Sequence, residues 1–357
     1  MQKAYLVLEN GKVFEGVAFG QAGEATGEIV FNTGMVGYSE TLTDPCYYGQ
    51  MVVQTFPLIG NYGIISEDVK DKKSYLKGYI VRNFCDTPSN FRCDGKIDEY
   101  LKKQGVVGIC GIDTRELTKI IRDAGTMNGK IVTDISDLDK IIKEISGYEN
   151  KGGVAATANT DEAVCTKANG KYHVVVFNFG AMRNLASELS ERNCKVTVVP
   201  HNTSAEEVLA LNPDAVVLSD GAGNPDDNKD TADHIKKIVE SNIPVFGISL
   251  GHQILAIAMG AKTAKHKYGH RGANQPVKFI EEGRVLITSQ NHGYIVESDT
   301  LPSDAMVSFI NVNDGSCEGV EYAKKAFSVQ FQPSTCNSPH STGFLFDKLI
   351  KMIEEEK

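Results

Sequence analysis

The chain has 357 residues, 41% hydrophobic and 23% charged, a mixture that excludes a collagen-like repeat, a coiled coil and a disordered tail. Thirty-seven basic against 46 acidic side chains leave a net charge of −9, which disfavours a nucleic-acid partner, because phosphate neutralisation needs a basic surface. No apolar run approaches the ~20 residues that span a bilayer, so no membrane role is expected. The first residues run into a strand pattern without a signal-peptide core, and a cytoplasmic location is expected. About twice the usual domain length, the chain should form two domains. Its eight cysteines are scattered with no Cys-x-x-Cys pair and read as reduced and mostly structural. Lys70, Lys72 and Lys73 read as a solvated loop.

The first third is β-rich. Tyr5–Glu9 reads as a strand, and Asn10-Gly11 behind it is a hairpin-turn signal. Apolar character resumes at Val13-Phe14, and strand-length runs recur at 28–31, 78–82 and 106–109. Leu117, Ile120 and Ile121 predict a helix over 114–122, which Gly125 can end, and 137–145 reads as a second amphipathic helix. From 150 to 170 the chain turns to Gly, Ala, Thr and Asn without apolar periodicity, as a linker or a loop laid over another surface. The expected organisation is a mixed, β-rich α/β domain over 1–150, a linker over 151–170 with the boundary near residue 165, and a second domain over 171–357.

In that second domain strands and helices alternate. Val174–Phe177 is a continuous apolar run, as a strand covered on both faces requires. A helix is predicted over 182–191 and a strand over 195–199. Ser204-Ala205-Glu206-Glu207 has the spacing of a capping box. Strands over 215–218 and 244–248 flank a helix over 231–240. Repeated βα units predict a doubly wound, mostly parallel sheet with helices on both faces. Ligands in such sheets sit at the carboxyl ends of the strands.

Three loops stand out under that rule. Ser219-Asp220-Gly221-Ala222-Gly223-Asn224-Pro225 follows a strand, and its glycines either form a plain turn or let backbone N–H groups line an oxyanion pocket. Gly247-Ile248-Ser249-Leu250-Gly251-His252-Gln253 lies between a strand and a helix, the setting of a Gly-x-Ser-x-Gly nucleophile elbow. Ser289-Gln290-Asn291-His292-Gly293-Tyr294 is read as a loop following the strand 285–288.

Taken together, Phe246–Gln253, Gly260–Thr263, Gly269–Asn274 and Gln290–Gly293 resemble the small subunit of carbamoyl-phosphate synthetase. So do Gly27–Thr33, Gly37–Glu40, Leu42–Pro45, Gly60–Gly63 and Gly111–Arg115 in the first half, and the resemblance covers nearly the whole chain. It implies a carboxy-terminal class I glutamine amidotransferase domain that hydrolyses glutamine with a Cys-His-Glu triad. Ammonia then passes through a tunnel to a large subunit that makes carbamoyl phosphate from bicarbonate and ATP. Carried over by resemblance, the glutamine-binding positions are Cys46, Gly221, Gly223, Leu250, Gln253, Asn291, Gly293 and Tyr294.

The resemblance breaks at the chemistry. The family's nucleophilic cysteine falls on Ser249, and its histidine and glutamate fall on Gln332 and Ser334. A serine hydroxyl needs a base to take its proton, whereas a thiol near pKa 8.5 can be driven to thiolate. The neutral amide of Gln332 cannot act as that base, and Ser334 cannot orient an imidazole that is missing. Losing a complete triad costs about 10⁶ in turnover, roughly 8 kcal/mol of barrier. Cys46 stands where the family has serine, Ala222 where it has proline, and Asn178 and Met182 where it has Asp and Lys.

Three functions follow as expectations. The chain is a glutaminase-deficient subunit of a synthetase running on free ammonia; or a serine hydrolase using Ser249 with His292 or His340; or a sensor that binds glutamine or another amino acid. His252, His270 and His292 match family motifs as non-triad positions and read as structural. The expected partner is the large subunit, which would hold ATP and a divalent cation, since this chain has no phosphate-cradling Walker loop. No Cys/His spacing suits zinc, and no metal is expected here.

Overall fold

The computed structural model describes residues 2–69, 73–158, 162–181, 184–323, 325–333 and 342–355. It divides into two units, Met1–Lys151 and Gly152–Lys357.

The first unit is built on a closed barrel. Its strands are β1 (Lys3–Leu8), β2 (Val13–Gly20), β3 (Ala25–Asn32), β4 (Gln50–Gln54), β5 (Gly78–Ile80), β6 (Val107–Cys110) and β7 (Met127–Val132). They close in the order β1-β2-β6-β5-β4-β3-β7, with β7 returning to pair with β1. The Asn10-Gly11 turn joins β1 to its antiparallel neighbour β2, with Gly11 at φ +84°. Helix α1 (Thr114–Ala124) is capped by the Asp113 carboxylate, which accepts from Glu116 N, and it ends where Gly125 N donates to Ile121 O. Helix α2 (Leu138–Ser146) starts the same way at Asp137. Each buries one apolar face, through Leu117 and Ile121 in α1 and Ile141 and Ile145 in α2.

The second unit is a ten-stranded sheet among the described residues. Its strands are β8 (Val164–Lys167), β9 (Tyr172–Asn178), β10 (Cys194–Pro200), β11 (Ala215–Leu218), β12 (Val245–Ile248), β13 (Thr263–Phe279), β14 (Val285–Val296), β15 (Ala305–Asn311), β16 (Cys317–Tyr322) and β17 (Ala326–Val329). Their order is β8-β10-β9-β11-β12-β17-β16-β15-β13-β14. The central run β10-β9-β11-β12-β17 is parallel, and antiparallel strands flank it on both sides. Helices cover both faces: α3 (Leu185–Glu191), α4 (Ala205–Ala210), α5 (Lys229–Glu240), α6 (Leu250–Ala258) and α7 (Phe344–Glu354).

The unbroken apolar run of β9 now has its reason. Val175 and Phe177 pack with α4, α5 and α6, while Val174 and Val176 pack with α3 and α7 on the opposite face. The capping box at Ser204 and Glu207 forms in both directions. No described helix is long and apolar enough to cross a membrane.

Two expectations change. The 151–170 segment is more than a linker: among the described residues it holds a short helix at Gly153–Thr157 and edge strand β8, paired antiparallel with β10, and from Gly152 on it belongs to the second unit. Its polar composition suits an edge strand, where only one side of the ladder is paired. Ser289–Tyr294 is not a loop but the middle of β14, paired with β13. The helix expected over 182–191 is described from Leu185, with Met182 outside the described residues.

Candidate active site

Strands β11, β12 and β17 are parallel neighbours, so their carboxyl ends deliver three segments to one edge of the sheet. These are Ser219–Gly221 after β11, Ser249 after β12 and Gln330–Gln332 after β17. The edge is where a ligand meets an open α/β sheet.

Ser249 occupies a sharp turn at φ 52°, ψ −105°, before the first residue of α6. A non-glycine residue there carries strain on the order of 1–3 kcal/mol, held in place by its surroundings. Ser249 N donates to Val329 O at 2.8 Å, Gly251 N to Ser219 O at 3.1 Å, and Gln253 N to Ser249 O at 3.2 Å. The flanking glycines allow the close packing: a Cβ on Gly251 would lie 2.4 Å from Leu218 O, and one on Gly247 2.7 Å from Gly251 O. The Gly-x-Ser-x-Gly segment is thus a strand–turn–helix elbow, with Ser249 buried.

Beside it, Asp220 and Gly221 form a two-residue strand against Gly180 and Ala181. A Cβ on Gly221 would lie 2.2 Å from Phe179 O and 2.9 Å from Leu250 Cδ2, so the elbow helix sits directly on this strand. Gly223 turns at φ +106°. Asp220 is 3% exposed; its Oδ1 accepts from Gly221 N at 2.7 Å, and its Oδ2 accepts from Gln332 Nε2 at 2.8 Å. Gln332 is itself 4% exposed, and its N donates to Ser289 O at 2.9 Å, tying β14 to the end of β17.

Behind the elbow lies a buried polar chain that explains why β14 carries Gln290 and His292 inward. Gln253 Nε2 donates to Tyr294 O at 2.7 Å and to Gln330 Oε1 at 2.9 Å. His292 sets Nδ1 against Tyr294 O and Nε2 against Gln290 Oε1, both at 2.9 Å. Gln290 Nε2 donates to Glu318 Oε2 at 2.9 Å, and Asn311 Nδ2 to Glu318 Oε1 at 3.1 Å. Glu318, fully buried, faces His270 Nδ1 at 3.3 Å, while His270 Nε2 meets Asp314 Oδ2 at 2.7 Å.

Held between two carboxylates, the His270 imidazole stays charged, raised to about 9 against its burial. Asp314, bonded to His266 and His270, is pushed well below the usual carboxylate range. Burial drives His292 strongly downward and lowers His252 to about 3, so both are neutral. His252 Nδ1 bonds Ser328 Oγ at 2.7 Å. Among the described residues no histidine hydrogen-bonds the Ser249 hydroxyl. His292, the candidate base for a serine hydrolase, has both ring nitrogens turned elsewhere.

The predicted positions are therefore brought together in part. Ser249, Leu250, Gln253, Gly221 and Gln332 gather around the elbow through the contacts above. Asn291, Gly293 and Tyr294 lie on β14, with Asn291 opposite Arg271 of β13. Cys46 belongs to the first unit, buried in the turn Pro45–Tyr47 with its N donating to Asp44 Oδ1. Ser334, Cys336 and His340 lie outside the described residues. The reading of the sequence assigned no role to Asp220 or Glu318. An acid inside a glycine turn after a strand was the available signal for the first; nothing local marks the second.

His266, His270 and Asp314 also come within reach of a metal ion, as do His270, His292 and Glu318. Their chemistry is that of a hydrogen-bonded ion cluster. Gly269 N donates to His266 Nδ1, which puts that ring's own proton on Nε2, and His270 turns each nitrogen to a carboxylate.

A doubly wound sheet with a Gly-x-Ser-x-Gly elbow at its carboxyl edge, opposite a glycine strand, defines a class I glutamine amidotransferase fold. Residues 175–352 match the glutamine amidotransferase class-I model, and residues 6–131 match that of the carbamoyl-phosphate synthase small chain, CPSase domain. The carbamoyl phosphate synthase small chain of Clostridium perfringens is 48% identical over 350 residues, covering 98% of this chain and 99% of its own length. The small chain of Fusobacterium nucleatum is 46% identical over 362 residues, 99% of each chain. The pyrimidine-specific small chain of Bacillus subtilis is 44% identical over 353 residues, covering 99% and 96%. The chain belongs to the carbamoyl-phosphate synthase small chain family, and membership implies a large-chain partner.

Proposed function

We propose that this chain is a glutaminase-silent small subunit of a cytoplasmic carbamoyl-phosphate synthase, a structural and regulatory partner of a large subunit fed by free ammonia. The observation that carries the reading is the bond from Gln332 Nε2 to Asp220 Oδ2. Where the family mechanism needs an imidazole to take the nucleophile's proton, this chain presents a neutral amide already turned to a buried acid. Ser249 keeps the elbow geometry but has neither a thiol nor a histidine partner among the described residues. ATP and a divalent cation would belong to the large subunit.

A second reading, an amino-acid sensor, draws support from Gln253, whose side chain is fixed by two hydrogen bonds beside the elbow. Calorimetry with glutamine on the two-subunit complex separates the two: heat of binding without glutamate release supports the sensor.

The test of the main reading is glutamate release from glutamine by this chain with its large subunit. The reading expects a rate at the level of a heat-inactivated control. Sustained turnover that Ser249→Ala abolishes would overturn it.

A further inference from the structure

The two oxygens of Asp220 are engaged differently. One holds Gln332; the other accepts the Gly221 N–H at 2.7 Å. In an acyl-transfer site the N–H groups of such a glycine segment are aimed at the oxygen that becomes negative in the transition state. Here that donor already points at a carboxylate, 3% exposed, on a strand packed against the first residue of the elbow helix. A negative charge beside a reacting oxyanion works against it, because donors and dipoles there must present positive potential.

We propose that Asp220 is the specificity-determining residue of the elbow: its carboxylate occupies the Gly221 N–H, and the site rejects an oxyanion at the reacting position. The inference rests on the reading of this edge as a former glutaminase centre, but not on the triad positions. Cysteine, histidine and glutamate restored at 249, 332 and 334 would still face an occupied donor. Uncharged groups remain acceptable, so a neutral amide is the class of ligand the elbow tolerates at that point.

The test uses a thiol as a probe of local potential. Ser249→Cys and the double variant Ser249→Cys/Asp220→Asn are prepared as complexes with the large subunit and alkylated with neutral iodoacetamide between pH 6 and 10. Only the thiolate reacts, so the pH profile reports the charge around position 249. Removing the carboxylate charge is expected to move the profile at least one pH unit lower, making alkylation about tenfold faster at pH 7.5. Superimposed profiles, or a shift upward, would overturn the proposal.

A second measurement covers the case in which the double variant fails to fold. In the unaltered full chain, the Gly221 amide proton should resonate far downfield and exchange slowly, as a donor to carboxylate does. A fast-exchanging Gly221 amide at an ordinary shift would contradict the proposal. Glutamine turnover by the unaltered chain would overturn both readings, because it forms the oxyanion that the site is proposed to reject; superimposed profiles without turnover would overturn this proposal alone.

Discussion

Gln332 and Asp220 lie on different loops, 112 residues apart in sequence, and their side chains meet at 2.8 Å in a site closed to solvent. The bond joins the end of β17 to the loop after β11 across the intervening β12. It places a neutral donor against a buried acid at the edge where chemistry would occur.

The pair should be sensitive to charge before shape. Gln332→Met keeps the volume but takes one hydrogen bond from a buried acid, at a cost of about 1–3 kcal/mol. Gln332→Glu sets two carboxylates together and should cost 3 kcal/mol or more at pH 7, with much of it regained near pH 4 as one protonates. Urea unfolding at both pH values checks the order.

Ser249 tests the elbow's strain. Glycine enters φ 52° freely, so Ser249→Gly should raise stability by about 1 kcal/mol, whereas the β-branched Ser249→Val should lower it by 2 kcal/mol or more. Denaturant midpoints at unchanged slope give both values. A destabilised glycine variant would show that the turn is not strained.

His270 gives the protein a weakness in base. Its pKa is about 9 in the folded chain against 6.5 unfolded, so its contribution is complete below pH 6.5 and is lost as pH rises through 9. At 1.36 kcal/mol per pH unit the loss is about 3 kcal/mol. Thermal unfolding from pH 6 to 9.5 should show this decline, and His270→Gln should start lower and stay flatter across the same window.

His252 acts in the opposite direction. Burial keeps it neutral down to pH about 3, while the unfolded chain takes up a proton near 6.5. Stability from this residue is therefore present above pH 6.5 and declines as pH falls toward 3, by up to about 5 kcal/mol. In His252→Asn the acid limb of the stability profile should flatten.

Much of the architecture was legible because one residue pattern had one structural meaning. The run Val174–Phe177 could only serve a strand covered twice, Leu117 and Ile121 recurred at helical spacing, and Ser204 marked a helix start by its capping hydroxyl. Gly247 and Gly251 signalled the elbow because no side chain fits there. The middle of β14 was misread because Gln290, Asn291 and His292 carry a loop's composition. The polarity of Gln290 is matched by Glu318, a partner that only the folded sheet brings near, and His292 bonds Gln290 and the Tyr294 carbonyl within the strand. The 151–170 segment failed for the converse reason: an edge strand needs little apolar periodicity. Asp220 stood in the sequence as one member of a glycine turn, and its meaning depended on a residue from another strand.

The most direct measurement supplies the two-subunit complex with glutamine labelled with ¹⁵N in its side-chain amide, or with ¹⁵N-ammonium, and follows the label into carbamoyl phosphate. Label is expected from ammonium, and none above background from glutamine. Transfer of the glutamine label at a rate matching ammonium would contradict the glutaminase-silent reading.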